Sequence, residues 1–567
     1  MKKIIFLFAA VFIFSCTSSE PVKTDNEADY SEDNAEEVNI TLPFSKGVNF
    51  SNWFESAGAD AIQFTRYVEH DFANAKSLGV EVIRLPVRMH SMTSGSPDYT
   101  VDPLLFKFLD MAVSWAEKYG IYIIIDNHSF DSVKNTENDI DKILIPVWEQ
   151  FARRYKDRSD YVLYEILNEP HGISDARWGE IQGRAINAIR KYDTKHFIVA
   201  GGTEYNSINK LSAIPKYADS KIIYTFHFYD PFLFTHQGAG WTGTPVLTNL
   251  AGVPFPYDSK RRPKIPSDLR GTWVENSLNN EYKKASDPKT LYNTLNKAVS
   301  FSKERNVPVY CGEFGVFMIN SFNEDRVRWY RIVTAALAKR NISRTSWDYY
   351  GGFGLFNTDG KRDFYEDMNT DVARAMGFTP PAQSPRKYEP LNKSFTIYDD
   401  YPAGEITCGY WDEKTDFSLY DTNAAQGEYA IRWGNASRYN IFYFAFDRGG
   451  NFSEIANNGF IEFKARTGKS VLFDIRFVNP ENASSIPWRM RYTINDKILP
   501  PDGKWHTIRI PLNKMEDMGA WLSTTQKWLS SQNKFSWSNI KQLEIVAEQG
   551  DMKDVYVWFD DIKIIVP

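Results

Sequence analysis

YVLYEILNEPHG, from Tyr161 to Gly172, is an apolar run that meets Asn168, Glu169 and Pro170 without a transition. Six of its first seven residues are aliphatic, aromatic or β-branched, the composition of a strand covered on both faces. Strands of that kind belong to parallel sheets, and this one ends by delivering an amide and a carboxylate together.

The same pattern recurs along the chain. From about Thr41 to Phe378, short apolar runs alternate with amphipathic stretches, the rhythm of successive βα units. Before the opening segment stand GVNFSN (from Gly47), VEVIRLPV (from Val80) and IYIIIDNHS (from Ile121). After it come HFIVAGG (from His196), KIIYTFHFYDP (from Lys221), PVYCGEFGV (from Pro308) and SRTSWDYYGG (from Ser343). Between them lie helical stretches such as DPLLFKFLDMAVSWAEKYG and PKTLYNTLNKAVSFSKERN, the latter with Asp287 placed as N-cap. Eight such units predict an α/β fold, a (β/α)8 TIM barrel over residues 41–380. Each run is apolar at its start and polar or aromatic at its end: Asn52, Arg84, His128, Asn168 with Glu169, His227 with Tyr229, Glu313, Trp347. A barrel gathers those ends at one face, so Glu169 and Glu313 are expected across a single cleft. Simple alternation places Val309, Cys311 and Glu313 on one side of their strand, and Thr225, His227 and Tyr229 on one side of theirs.

Paired carboxylates across a cleft are the apparatus of glycoside hydrolysis, one protonating the leaving oxygen while the other attacks the anomeric carbon or activates water. ILNEP and GEFG, standing in order with GVNFSNWFE, RLPV, DNHS, TFHFYDPF and SWDYYGGFG, resemble the strand-end motifs of glycoside hydrolase family five over about residues 41–380. The resemblance implies Glu169 as general acid/base and Glu313 as nucleophile of a retaining enzyme, with the carboxyl groups near 5 Å apart rather than ~6.5–9.5 Å. It further implies Arg84 and Tyr229 as hydrogen-bond partners of Glu313, and Asn168 as the grip on the sugar 2-hydroxyl. His128 and His227 would bind the same sugar or tune Glu169, and Trp347 would floor the subsite where the bond breaks. Glu165 and Asp126 read as ion-pair or hydrogen-bond partners inside the barrel, His196 as structural, and Cys311 as a small hydrophobe. The eight histidines show no HExxH or HxH spacing, so no cofactor or catalytic metal is expected.

An insertion from Asp230 to about Ser286 is too long for an ordinary βα loop and carries Phe232, Phe234, Trp241, Phe255, Tyr257 and Trp273. Flat rings stack on pyranose faces, so Trp241, together with Trp53, Glu55 and Trp347, is expected to line the cleft. YDPFLFTHQGAGW resembles a β-glucanase branch of the family, which implies an endo-β-glucanase acting on β-1,4 or mixed-linkage glucan. A mannanase, xyloglucanase or β-1,3-glucanase of the same fold is the alternative within that chemistry. A non-catalytic glycan-binding surface lipoprotein is the alternative of another class.

After a Pro-rich linker at 381–390 the helical period disappears. Short alternating runs from 391 to 567, among them YAIRW, FIEFKA and WHTIRIPL, predict an all-β sandwich. GKWHTIRIPL and FDDIKI resemble jelly-roll carbohydrate-binding modules such as family eleven. Tyr410, Trp411, Trp488, Trp521, Trp528 and Trp537 are its candidate sugar-binding rings, and Asp560 with Asp561 a candidate structural calcium site.

The leader MKKIIFLFAAVFIFSC, residues 1–16, has a positive start and an apolar core too short to span a bilayer. Its end resembles a loose lipobox, which implies lipidation of Cys16 and an exported, membrane-anchored protein at the cell surface, outer membrane or periplasm. Residues 17–40 read as an acidic, solvated spacer, with eight Asp or Glu from Glu20 to Ile40 against Lys23 alone. Apart from that stretch the net charge of −6 leaves the body near neutral, with no support for a nucleic-acid partner. Cys311 and Cys408, in different predicted domains, are not expected to pair. The expected partners are a polysaccharide and a membrane, the expected state a monomer.

Overall fold

The computed structural model describes residues 33, 35–357, 362–385, 390–404, 406–411, 415–481, 485–523 and 525–567. The leader with Cys16, most of the acidic spacer, and residues 386–389 of the linker lie outside the described residues.

Eight parallel strands close a barrel in sequence order. They are β1 (Lys46–Asn49), β2 (Val82–Val87), β3 (Tyr122–Asn127), β4 (Val162–Glu165), β5 (Ile198–Gly201), β6 (Ile222–Phe228), β7 (Val309–Phe314) and β8 (Ser343–Ser346). The helices between them begin and end on the expected signals. Asp102 caps Pro103–Tyr119 by accepting from the Leu104 amide, Gly120 closes that helix in the left-handed region, and Asp287 caps Pro288–Arg305. The fifth unit departs from the rhythm: β5 runs into a left-handed turn and the 3-10 segment Ile208–Ala213.

Val82, Ile124, Leu163, Val199, Ile223 and Tyr310 fill the lower barrel interior, one apolar layer beneath the polar strand ends. The position of Tyr310 corrects the alternation expected for β7. Tyr310 belongs to the interior layer, whereas Cys311 packs in the larger cluster outside it. Successive partners along β6 and β7 then run Phe226–Cys311 and His227–Glu313, with Gly312 skipped. That bulge turns Glu313 inward beside His227, where plain alternation from Tyr310 would have sent it outward.

At the end of the stretch read as a solvated spacer, Glu36, Glu37 and Asn39 are exposed, but Asp33 and Val38 are buried against the barrel. Arg340 is fully buried and needs a carboxylate, which Asp33 supplies through two hydrogen bonds of 2.7 and 2.8 Å. The Val38 amide then bonds the Arg340 carbonyl at 3.1 Å.

Residues 395–565 form two packed antiparallel sheets. One contains Phe395–Asp399, Tyr401–Pro402, Asp416–Asp421, Ala430–Ala436, Phe460–Thr467, His506–Pro511 and Met552–Ile565. The other contains Ile406–Tyr410, Ile441–Gly450, Leu472–Val478, Trp488–Asn495, Glu516–Leu522, Lys527–Leu529 and Ile540–Val546. The rings of Trp433, Phe442, Phe473 and Phe559 pack together in the core between them. The calcium reading of Asp560 and Asp561 meets carboxylates that already have protein partners. Asp560 accepts from the amides of Ala425, Gln426 and Asp561 at 2.7, 3.0 and 2.7 Å, and Asp561 pairs with Lys563 at 2.9 Å.

The sandwich is fastened to the barrel through the segment after β1. The buried Tyr420 hydroxyl accepts from the Phe64 amide at 3.2 Å and donates to the Ile62 carbonyl. Phe108 meets the Tyr420 ring edge-on at 4.9 Å, and Lys107 reaches Glu428 at 2.6 Å and Tyr429 at 2.7 Å. Tyr420→Phe strands a buried amide and a buried carbonyl, so it is expected to cost about 1–3 kcal/mol, read as a lower urea midpoint. A midpoint unchanged from wild type would show that this seam contributes nothing.

Candidate active site

Arg84, fully buried on β2, organises the upper barrel. Its Nε and Nη2 donate to the two oxygens of Glu165 on β4 at 2.8 and 2.9 Å. Nη2 also reaches Asn168 Oδ1 at 2.7 Å and lies 3.0 Å from Asp126 on β3. Nη1 donates to Glu313 Oε1 at 2.8 Å and Asn49 Oδ1 at 3.0 Å. A planar fork with five donors is the one side chain that can serve so many acceptors at once. Burial raises the pKa of Glu165 and pushes Asp126 up to about 7, both opposed by the Arg84 charge.

Glu313 is held at both oxygens, since the Tyr229 hydroxyl donates to Oε2 at 2.9 Å while Arg84 occupies Oε1. Glu169 reaches the same space by another route. It follows the end of β4 and takes a left-handed backbone with φ 48°, which swings its side chain out of the strand line. One oxygen of Glu169, one of Glu313 and a ring nitrogen of His227 all lie within 4.8 Å of one another. The Glu169 side chain keeps 16% of its surface exposed, against 6% for Glu313 and 2% for His227, so Glu169 is the member a solute meets first.

Burial pushes the Glu169 carboxyl up to about 7, against the pull of His128, Arg84 and His171. Burial also drives His227 down to about 4, leaving it a neutral imidazole at neutral pH. Its 2.7 Å contact with Glu169 is therefore a hydrogen bond and not an ion pair. His128 bonds Asp126 through Nδ1 at 2.7 Å and stacks on Trp347 with centroids 5.4 Å apart and planes at 11°. His128 Nε2 stands 3.5 Å from the Asn168 amide and 3.9 Å from Glu55. Glu169, His227 and Glu313 also form the one acid/histidine trio close enough for a metal among the described residues. Their lone pairs are engaged by Arg84, Tyr229 and one another.

The structure thus brings Arg84, His128, Asn168, Glu169, His227, Tyr229, Glu313 and Trp347 together. Trp53 does not join them. It is 1% exposed, and its indole N–H donates to the Phe64 carbonyl at 2.9 Å, so the loop satisfies this ring and no sugar can reach it. Trp241 is 48% exposed and leans edge-on against Phe317 at 4.9 Å, with Phe353 linking that wall to Tyr229. Other rings of the same insertion serve packing: Phe234 and Phe255 are buried against each other at 5.1 Å. His196 and Cys311 are structural. His196 lies between Asp193 and the Ser159 carbonyl, and burial lifts the Cys311 thiol far above its ordinary range.

Sequence reasoning missed Asn49, His90, Asn206 and Asp348. Asn49, three residues before Asn52, bonds the Gly312 and Ser346 carbonyls at 3.1 Å each and is the residue at the end of β1 that meets Arg84. The polar step in GVNFSN was the signal, and it begins at Asn49. His90 faces Asn127 at 3.1 Å, and Asp348 accepts from Ser51 and is pushed up to about 6 by burial.

A model of the family described as Cellulase (glycosyl hydrolase family 5) matches residues 45–352, and one described as Carbohydrate binding domain 30 matches residues 396–565. The second match replaces the family-eleven likeness expected for the sandwich. Endoglucanase 3 of Fibrobacter succinogenes is 30% identical over 59% of this chain and 54% of its own length, so the chain spans about half of that relative. Endoglucanase C of Acetivibrio thermocellus is 26% identical over 58% of this chain and 98% of its own. The crystal structure of endoglucanase Cel5A from Thermotoga maritima aligns with a TM-score of 0.48 at 28% identity, over 59% of this chain and 96% of that one.

Arg84→Met leaves Glu165, Asp126 and Glu313 without their cation. It is expected to cost about 3–5 kcal/mol of stability, checked by chemical unfolding. A loss below about 1 kcal/mol would mean that protonation of those carboxyls absorbs the charge.

Proposed function

The chain belongs to glycosyl hydrolase family 5, and from that premise we propose that it is a retaining endo-β-glucanase acting on β-1,4 or mixed-linkage glucan. One observation carries the reading: Glu169 and Glu313 bring their oxygens within 4.8 Å, over a buried arginine and a tyrosine that both donate to Glu313. That spacing suits direct attack by Glu313 and leaves too little room for a water between the carboxyls, as inversion requires.

In the first step Glu313, held by Arg84 and Tyr229, attacks the anomeric carbon, and the leaving oxygen takes the proton of Glu169. Burial lifts Glu169 to about 7, so a substantial share of it carries the proton an acid catalyst needs at neutral pH and most of it does below that. The glycosyl ester then removes the Glu313 charge. One negative neighbour fewer favours the ionised form of Glu169, which draws a proton from the incoming water. Asn168, held by Arg84, lies beside this centre to meet a sugar hydroxyl, and Trp347 offers its face across from His128. The glucan assignment is supported by the names of the two curated relatives, both endoglucanases.

The sandwich belongs to the same reading as a glucan-binding domain. Of its six candidate rings, Trp488 is buried, Trp537 packs on Phe477, and Tyr410 stacks on Phe417. Trp411, Trp521 and Trp528 remain open at 61, 41 and 44% exposure. Trp521 and Trp528 pair across neighbouring strands, and the Arg489 guanidinium lies 5.8 Å from the Trp528 ring centre. Nε and Nη1 of Arg489 are buried without a hydrogen-bond partner among the described residues. Two exposed flat rings side by side suit the apolar faces of a glucan chain.

Two experiments test this reading. Wild type should release reducing ends from barley glucan or carboxymethylcellulose, first as the β-anomer by proton NMR, with kcat/KM falling as pH rises through about 7. Glu313→Gln should lose at least 10³-fold, and Glu169→Ala on an activated aryl glycoside should be rescued by azide with retention. First release of the α-anomer, or no release from any β-glucan, would end the proposal. Trp528→Ala should weaken retention on insoluble glucan by about tenfold while leaving soluble-substrate kcat/KM unchanged. Unaltered retention would remove Trp528 from the binding face.

A further inference from the structure

After β5 the chain takes three consecutive non-glycine residues through the left-handed region: Glu204, Tyr205 and Asn206, with φ of 53, 61 and 53°. One such residue is uncommon, and three in succession persist only where the surroundings fix them. Asn206 is fully buried, and its side chain is packed so closely on β5 that a Cβ at Gly201 would lie 2.3 Å from Asn206 Oδ1. Only glycine leaves room for the amide there. The other end of that amide, Nδ2, stands 3.3 Å from His227 Nε2, and Ser207 next to it bridges in parallel to His227.

A neutral imidazole carries one N–H and one acceptor nitrogen. An amide NH2 facing Nε2 makes that nitrogen the acceptor and leaves the single proton on Nδ1, which stands 2.7 Å from Glu169 Oε1. Oε1 is thereby committed as an acceptor, and the acid proton of Glu169 is confined to Oε2. We propose that Asn206 is a positioning residue that, through the tautomer of His227, fixes which oxygen of Glu169 carries the proton delivered to the leaving group. The transfer balances simply: the Oε2–H bond breaks as the leaving oxygen gains its hydrogen, and the resulting carboxylate keeps the Nδ1–H donor it already had.

Other groups act on the pair without setting this choice. Glu313 Oε2 lies 3.5 Å from His227 Nδ1, and Arg84, Glu165 and His128 act on His227 at longer range. Glu169 is surrounded by His128, Arg84, His171 and Glu165, with Asp126 and Tyr205 nearby. None of these is hydrogen-bonded to His227 Nε2, which among the described residues meets Asn206.

The inference rests on Glu169 being the acid of the preceding section, but its first test does not. With 15N-labelled histidine, long-range correlation spectra of the wild type should show His227 protonated on Nδ1 at neutral pH. Its signals are identified among the eight histidines by their loss in His227→Gln. Protonation on Nε2 would overturn the proposal whatever the enzyme cleaves. The second test compares leaving groups. Asn206→Leu should lower kcat/KM on cellotetraose about tenfold, as part of an acid contribution of ~10²–10⁴-fold, and on 2,4-dinitrophenyl cellobioside less than threefold, because that leaving group needs no proton. Equal losses on both substrates would mean that Asn206 merely supports the fold. Absence of Glu313-dependent cleavage by the wild type would instead count against the functional reading.

Discussion

The site depends on keeping one cation in a place without water. Arg84 is fully buried in the barrel, and removing a guanidinium from water costs far more than any single contact returns. The barrel meets that cost with three carboxylates and two amide oxygens arranged around one planar fork. Glu165 and Asp126 sit deeper and raised in pKa, so part of the excess negative charge can be held as protons. Glu313 is the carboxylate of the set placed at the opening, next to Glu169 and His227. Its orientation is thus a by-product of satisfying Arg84, and the remaining side chains are arranged around that fact.

Much of this was legible in the sequence because strand ends announce themselves. The step from apolar to polar in YVLYEILNEP, PVYCGEFGV and KIIYTFHFYDP located Glu169, Glu313, His227 and Tyr229 at one rim, and the βα rhythm supplied the barrel. What stayed hidden depends on local departures from regular geometry. The skipped Gly312 reverses the facing of β7, so Cys311 and Glu313 lie on opposite sides although both alternation and the final position of Glu313 had looked consistent. Trp53 resembled a cleft aromatic because it neighbours Asn52 and Glu55, yet the loop folds back and its own carbonyl takes the indole N–H. In the sandwich, alternation revealed strands but not which face is open, since that requires knowing which sheet covers which. Trp488 and Trp521, both drawn from tryptophan-bearing strands, end on opposite sides of that division.

The sandwich also bears on the barrel's own geometry. Tyr420 holds the Ile62 carbonyl and Phe64 amide, and the Phe64 carbonyl in turn holds Trp53. Trp53 lies between Asn52, left-handed at φ 57° with its amide on Glu55, and Phe54, which bridges to Val87 at the end of β2. The loop carrying Glu55 toward His128 is therefore braced from the outside by the second domain as well as from within by the barrel. A linker region rich in proline suggests two independent bodies. The hydrogen bonds and edge-on ring contacts at this seam describe a shared wall.

The electrostatic balance at the cleft explains why His227 has to be buried. A charged imidazolium at 2.7 Å from Glu169 would favour its carboxylate form over its protonated one. A histidine left in water would titrate near neutral pH and do so for part of the molecules at any moment. Burial lowers His227 to about 4, so it donates a hydrogen bond without contributing a full charge. The imidazole that touches both Glu169, at 2.7 Å, and Glu313, at 3.5 Å, is in this way made electrically quiet.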